Sequence, residues 1–375
     1  MGKCLLSSGI PFHIFHIGPS PFKENVNRSG KFEGLTYEYL SPSIKWPANI
    51  IIRVFYYLRG CIQLAYKLSE SRSSTVVYAC YQGDVINLWV LWLCRLLKIP
   101  VVQEVSEWWP GTSGGSWFND WMYRHVMFHW SNGALPISHE VEDRIRNLAG
   151  PDYPQCRVSV LVDPKENISR SKSIDGHTNH SRPVLLWCGM VDGYKRDVLF
   201  LIDAMAEIKT PAGQNSLLRI VGPCTEKVKT ELLAYVQSKN ISAACIDIAG
   251  FVSDEQLWND CKQAEVLLMP LWEDDRSATR FPTKFGQYLA AGRPIVTARV
   301  GEIRHFLTDE TAIFYPAGDA IGLAGALDRL LADPVSGKRI AARAAVAVLP
   351  HVDYLSNVPR ISGWFSKIYS EYRRD

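Results

Sequence analysis

The sequence predicts an α/β protein made of two doubly wound, parallel-sheet domains. Short apolar runs rich in β-branched residues alternate with amphipathic helical stretches from end to end. Many of these runs are apolar throughout rather than alternating, the pattern of strands covered on both faces. The chain has 375 residues, more than one hydrophobic core usually supports.

In the first half, strands are expected at FHIFHI, TVVYAC, PVVQEV, GALPIS and RVSVLV, with amphipathic segments such as DVINLWVLWLCRLLK between them. In the second half they are expected at PVLLWCGM, LLRIVGP, CIDIAGF, EVLLMPL, PIVTA and AIFY. Between the halves, DPKENISRSKSIDGHTNHSRP is polar and aperiodic, as a linker is. The expected division is a first domain over 1–165, a linker over 166–182, a second domain over 183–350, and a C-terminal helix over 351–375 that packs back on the first domain. Ligands of such folds collect at the carboxyl ends of the strands, here in a cleft between the domains.

Bulk composition narrows the function. With 41 basic and 38 acidic residues the net charge is +3, too small to argue for a nucleic-acid partner. The nine cysteines are scattered singly with no C-x-x-C pair, which favours buried thiols in a reducing compartment over a disulfide frame or zinc site. The start, MGKCLLSSGIPFHIFHIG, lacks the features of a signal peptide. The most apolar window, ANIIIRVFYYLRGCIQLAYKL, is interrupted by Arg53 and Arg59 and reads as a core helix, not a membrane span. A cytoplasmic protein is expected.

FPTKFGQYLAAGRPIV, residues 281–296, holds the sharpest signal. Pro282 suits the first turn of a helix, Phe285, Tyr288 and Leu289 share one face, and Gly292 supplies the stop. A helix that starts just beyond a strand presents backbone N–H groups and a positive dipole end, which suits a phosphate. Pro282, Thr283 and Lys284 lie at that end, and Lys284 adds a mobile cation.

This run, followed by GEIRHFLTDETAIFYPAGD, closely resembles the donor-binding segment of glycosyltransferase family 4. LLWCGMVDGYKRDVLFLIDAM resembles the family's first strand and phosphate turn in its second domain, and IAGFVSDEQLWNDCKQAEVLLMPL its base-binding segment. LPISHEVEDRI and VSVLVDP resemble the end of its first domain. The resemblance spans about residues 75 to 320. It implies a GT-B fold, two Rossmann-like domains facing across a cleft. It also implies transfer of a sugar from a nucleotide-sugar donor with retention and without a metal; the donor is a substrate and no cofactor is needed. Lys195 matches the lysine at the donor diphosphate, and Phe251 and Val252 match the segment that holds the base. The leaving group is a diphosphate, so its growing charge needs fixed cations and N–H groups.

The chain departs from the family at several positions. A pair of glutamates marks the family, the first at the sugar and the second at the ribose; here they are Thr279 and Gln287. Gln287 retains hydrogen bonding without the charge. The arginine beside the phosphate turn is replaced by Met190, with Arg196 as a candidate to compensate, and a first-domain histidine by Ser106. The opening residues match the end of the family's first helix, Gly9 as its stop, and the second strand; the expectation is that the first strand and its glycine loop are missing. Glu104 and Glu107, at and just beyond the end of PVVQEV, are candidates to orient an acceptor hydroxyl, with Glu107 favoured. The acids of EDD at 273–275 read either as a solvated loop or as a metal-binding D-x-D, the former favoured.

The first domain is dense in Trp and Tyr, which fits either large core residues or a surface with interspersed Arg and Lys that touches the inner face of a membrane carrying a lipid-linked acceptor. The resulting expectation is a glycosyltransferase acting on a glycan or lipid-linked acceptor in surface polysaccharide synthesis. Two alternatives stay open: a non-catalytic donor-binding subunit and a sugar-nucleotide epimerase. The base, the sugar, the acceptor, the linkage formed and the oligomeric state are not legible.

Overall fold

Six strands of the second half meet in one parallel sheet in the computed structural model, which describes residues 1–20, 27–80, 84–108, 110, 117–159, 161–163 and 182–373. The strands are β7 (Val184–Cys188), β8 (Leu217–Val221), β9 (Ile246–Gly250), β10 (Val266–Met269), β11 (Ile295–Ala298) and β12 (Ile313–Tyr315), in the order β12-β11-β10-β7-β8-β9. All five pairings are parallel. β10 and β11 are buried at every residue, as expected for strands with helices on both faces. The core joins Leu185, Ile220, Val266 and Val296 of the sheet to Val198 and Leu201 of the helix Lys195–Ala206 and Leu323 and Leu327 of the helix Ala320–Ala332.

The chain divides into two compact units, residues 1–158 with 354–375, and residues 159–353. The first holds two three-stranded sheets. In one, β1 (His13–His16) pairs in parallel with β3 (Leu35–Tyr39), which pairs antiparallel with β2 (Ser29–Phe32). The other is parallel, with β4 (Val77–Ala79), β5 (Val101–Val105) and β6 (Gly133–Pro136) in sequence order. The β2–β3 hairpin was not expected; its turn, Glu33–Gly34, has positive φ at both residues. RVSVLV, expected as a strand, is not one among its described residues. Ala134 N–H donates to Pro154 O, and the Cys156 and Val158 N–H groups donate to the carbonyls of Ala134 and Pro136. Pairing with β6 then stops, and Val162 instead makes an isolated bridge with Asp353 in the second unit. Residues 166–181 of the expected linker lie outside the described residues.

The window 48–68 is helical within Ile50–Ser71, capped by the Asn49 side chain, which accepts from the Ile51 N–H at 2.8 Å. Its expected role as a core helix needs correction. Tyr57, Cys61, Leu64 and Leu68 pack into the first unit, whereas Ile51, Phe55, Leu58 and Ile62 are exposed. The inward face comes so close to β1 that a Cβ on Gly60 would overlap the Ile17 carbonyl oxygen, so only glycine fits there. The helix Tyr354–Tyr372 packs on the helix Gly2–Ser7, and its Tyr369 hydroxyl donates to Ser73 O at 2.9 Å. No helix among the described residues is long and apolar enough to cross a membrane. All nine cysteines are unpaired; burial pushes the Cys94 thiol up to about 12.

Candidate functional site

In the second unit, β7, β8 and β9 lie to one side of the sheet and β10, β11 and β12 to the other, so the order reverses between β7 and β10. The carboxyl ends of strands at such a reversal are where open α/β sheets bind ligands. Two segments meet here, the turn after β7 with the start of the helix Lys195–Ala206, and the loop after β10.

Hydrogen bonds and ring contacts lock these segments together. The Trp272 indole N–H donates to Asp197 Oδ1 at 2.8 Å. The Arg196 guanidinium lies 3.5 Å over the Trp272 ring and donates to Asp274 Oδ2 at 3.1 Å. Asp274 also caps the short helix Asp275–Thr279, accepting from the Ser277 N–H at 2.9 Å. Within EDD, both Asp274 oxygens are therefore engaged by the protein. Arg276 lies 4.2 Å over the Tyr194 ring. Asp197 is only 8% exposed, and burial raises its carboxyl to about 6 against the pull of the Trp272 N–H, Arg276 and Arg196.

The glycines at the ends of β7, β8 and β9 bring three loops into backbone contact. Gly189 N–H donates to Val221 O at 3.0 Å, and Gly222 N–H to Gly250 O at 2.8 Å. Gly222 has φ +141°, and a Cβ there would overlap the Gly189 carbonyl oxygen. The buried Tyr288 hydroxyl accepts the Cys188 N–H at 3.1 Å and so ties the helix Phe285–Ala291 to the end of β7.

That helix is shorter than expected. It begins at Phe285 with Lys284 as its N-cap; Pro282 is in the preceding turn, its carbonyl accepting the Phe285 N–H at 3.0 Å, and not in the first helical turn. Gly292 ends the helix in the left-handed conformation, as expected. Among the candidate cations, Lys195 is ion-paired with Glu231 of the helix Glu226–Ser238, and Arg196 with Asp274. Lys284 has no ion pair among the described residues, and its charge lies near Cys188 at the end of β7. Phe251, just beyond β9, is 81% exposed, and Val252 beside it is half-buried. Gln287 is half-buried and Thr283 exposed. Thr279 is buried, its hydroxyl donating to Asp275 O at 2.8 Å. Met190, at the position of the expected arginine, is exposed. Glu107 lies in the first unit two residues beyond β5, half-buried, its carbonyl accepting from the Tyr123 hydroxyl at 3.4 Å.

Sequence reasoning missed Asp197, Trp272, Gly222 and Tyr288. Trp272 had a usable signal, since it stands just past an apolar strand. Asp197 had none, because an acid in a helix's first turn reads as a solvated partner of the dipole.

Residues 182–333 match the family model for glycosyl transferases group 1. The second unit belongs to this family. The resemblance to glycosyltransferase family 4 read from the sequence agrees with it. Solved structures are similar to the chain at low sequence identity. A sucrose-phosphate synthase from Thermosynechococcus elongatus shares 15% identity at a TM-score of 0.72, covering 99% of this chain and 92% of that one. A glycosyltransferase from Rickettsia africae shares 13% at 0.73, covering 100% and 93%. The Anabaena protein HepE, solved with UDP and glucose, shares 14% at 0.68, covering 89% and 87%. These likenesses give the group 1 unit and its companion the GT-B fold of paired Rossmann-like domains. A search of curated proteins found no match.

Proposed function

We propose that the chain transfers a sugar from a nucleotide-diphosphate donor to a glycan or lipid-linked acceptor, with retention and without a metal, in surface polysaccharide synthesis at the inner face of a membrane. The observation that carries this is the group 1 match together with the segments that follow β7 and β10, which bring Lys195, Arg196 and Lys284 to the ends of those strands. HepE's structure with UDP and glucose supports a nucleotide-sugar donor.

In this reading the bond between the anomeric carbon and the phosphate oxygen breaks, and its electron pair goes to the departing diphosphate. Lys284, which has no acid partner among the described residues, meets that charge together with the N–H groups of Thr283 and Lys284, while Lys195 and Arg196 reach the diphosphate on release from Glu231 and Asp274. Phe251 and Val252 hold the base, Gln287 the ribose, and Thr279 the sugar. Glu107 orients the acceptor hydroxyl.

The test is incubation with labelled UDP-, GDP- and ADP-sugars, with and without a lipid extract, in chelator. Acceptor-dependent incorporation with the donor's anomeric configuration kept is the expected result. Conversion of the nucleotide sugar without an acceptor makes the protein an epimerase. Binding without either reaction makes it a donor-binding subunit.

A further inference from the structure

The helix Ile50–Ser71 carries two apolar stripes, and the first unit uses one of them. The other, formed by Ile51, Val54, Phe55, Leu58, Ile62 and Tyr66, is exposed along its whole length. These positions recur every three or four residues, so they form one continuous face. A row this long of exposed Ile, Leu and Phe is unusual for a surface that meets only water.

The charge around the stripe says what covers it. Residues 39–69 contain Lys45, Arg53, Arg59 and Lys67 and no Asp or Glu; the helix's one acid, Glu70, is in its last turn and bonded to the Tyr66 hydroxyl. Lys67 is neutralised by Glu38, and Arg53, half-buried, donates to Pro47 O at 3.1 Å; Lys45 and Arg59 have no acidic partner among the described residues. Arg59 is exposed beside the stripe. Trp46, part-exposed just before the helix, has the Arg53 guanidinium 4.4 Å over its ring, an aromatic and a cation together at one end. A basic, amphipathic helix with an aromatic at its end suits the boundary between acyl chains and anionic headgroups. A second copy of the chain suits it less, because this face carries Lys45 and Arg59 against one acid, Glu70, which is already bonded to Tyr66.

We propose that this face of the helix docks on an anionic lipid bilayer. The helix, about 33 Å long, lies in the membrane plane with the stripe in the acyl boundary and Lys45 and Arg59 at the headgroups. The proposal locates the membrane contact named above and stands without the transfer chemistry.

The test uses the full chain without donor, sedimented with vesicles of phosphatidylcholine alone or mixed with phosphatidylglycerol. Binding is expected to the mixed vesicles, weakening as salt is raised, with little to neutral ones. Ile51→Asn with Leu58→Asn should weaken it at least tenfold, and Arg59→Glu severalfold. Both apolar positions are more than half exposed, at 75% and 58%, so the melting temperature should not move. Hydrogen exchange at 50–66 should slow only with the mixed vesicles. Absence of sedimentation, equal binding to neutral vesicles, or unchanged binding by the double variant would overturn the proposal. So would a dimer in light scattering that the double variant dissolves. None of these results depends on whether the protein transfers a sugar.

Discussion

Asp197 shows how far a single residue escapes sequence reading. Its burial depends on the Trp272 indole above it and the Arg196 stack, which join segments far apart in the chain. Its carboxyl, raised from 3.8 to about 6, binds a proton more tightly folded than unfolded. Folding therefore takes up a proton between these values, and stability falls as pH rises through that window. Asp197→Asn keeps an acceptor for the indole and removes the buried charge. It should raise stability by on the order of 2 kcal/mol at pH 8 and by nothing below pH about 4. Melting temperatures across pH 4–8 check this; a gain independent of pH would show that the charge is not the cause. Gln287 is the opposite case, a residue picked out by motif alone. If it faces the donor ribose, Gln287→Glu should tighten donor binding by about 1 kcal/mol through a charge-assisted bond. Calorimetry showing no gain would move it off the ribose.

Elements were far more legible than contacts. All six strands of the second sheet were expected within a few residues, because runs such as EVLLMPL are too short and too uniformly apolar for surface helices. The β2–β3 hairpin was missed because neither KF nor TYEY is strongly apolar. RVSVLV misled because it has strand composition but makes only isolated pairings among its described residues. Nothing in the sequence sets apart the glycines at the ends of β7, β8 and β9, yet Gly222 permits three loops to meet. Gly222→Ala should cost the second unit more than about 2 kcal/mol, since both the φ and the Gly189 carbonyl oppose a Cβ. Chemical denaturation checks this, and a loss under about 0.5 kcal/mol, as for an ordinary surface change, would contradict it.

At the scale of the molecule, one unit is built on a continuous six-stranded sheet and the other on two three-stranded ones, one of them with three residues in β4 and the other with four in β1. Fewer paired backbone groups make local opening easier. Limited proteolysis should therefore cut the first unit early and leave a resistant fragment close to 183–350; equal resistance of both units would contradict this. The central claim is that the second unit binds a nucleotide diphosphate at the ends of β7 and β10, with Lys284 as its phosphate contact. The most direct measurement is calorimetric titration of the whole chain with UDP, GDP and ADP and with the matching nucleosides, for the natural protein and Lys284→Ala. One diphosphate should bind much more tightly than its nucleoside, and Lys284→Ala should remove most of that difference while leaving nucleoside binding unchanged. Failure of all three diphosphates to bind, or equal loss of diphosphate and nucleoside in the variant, would contradict the account.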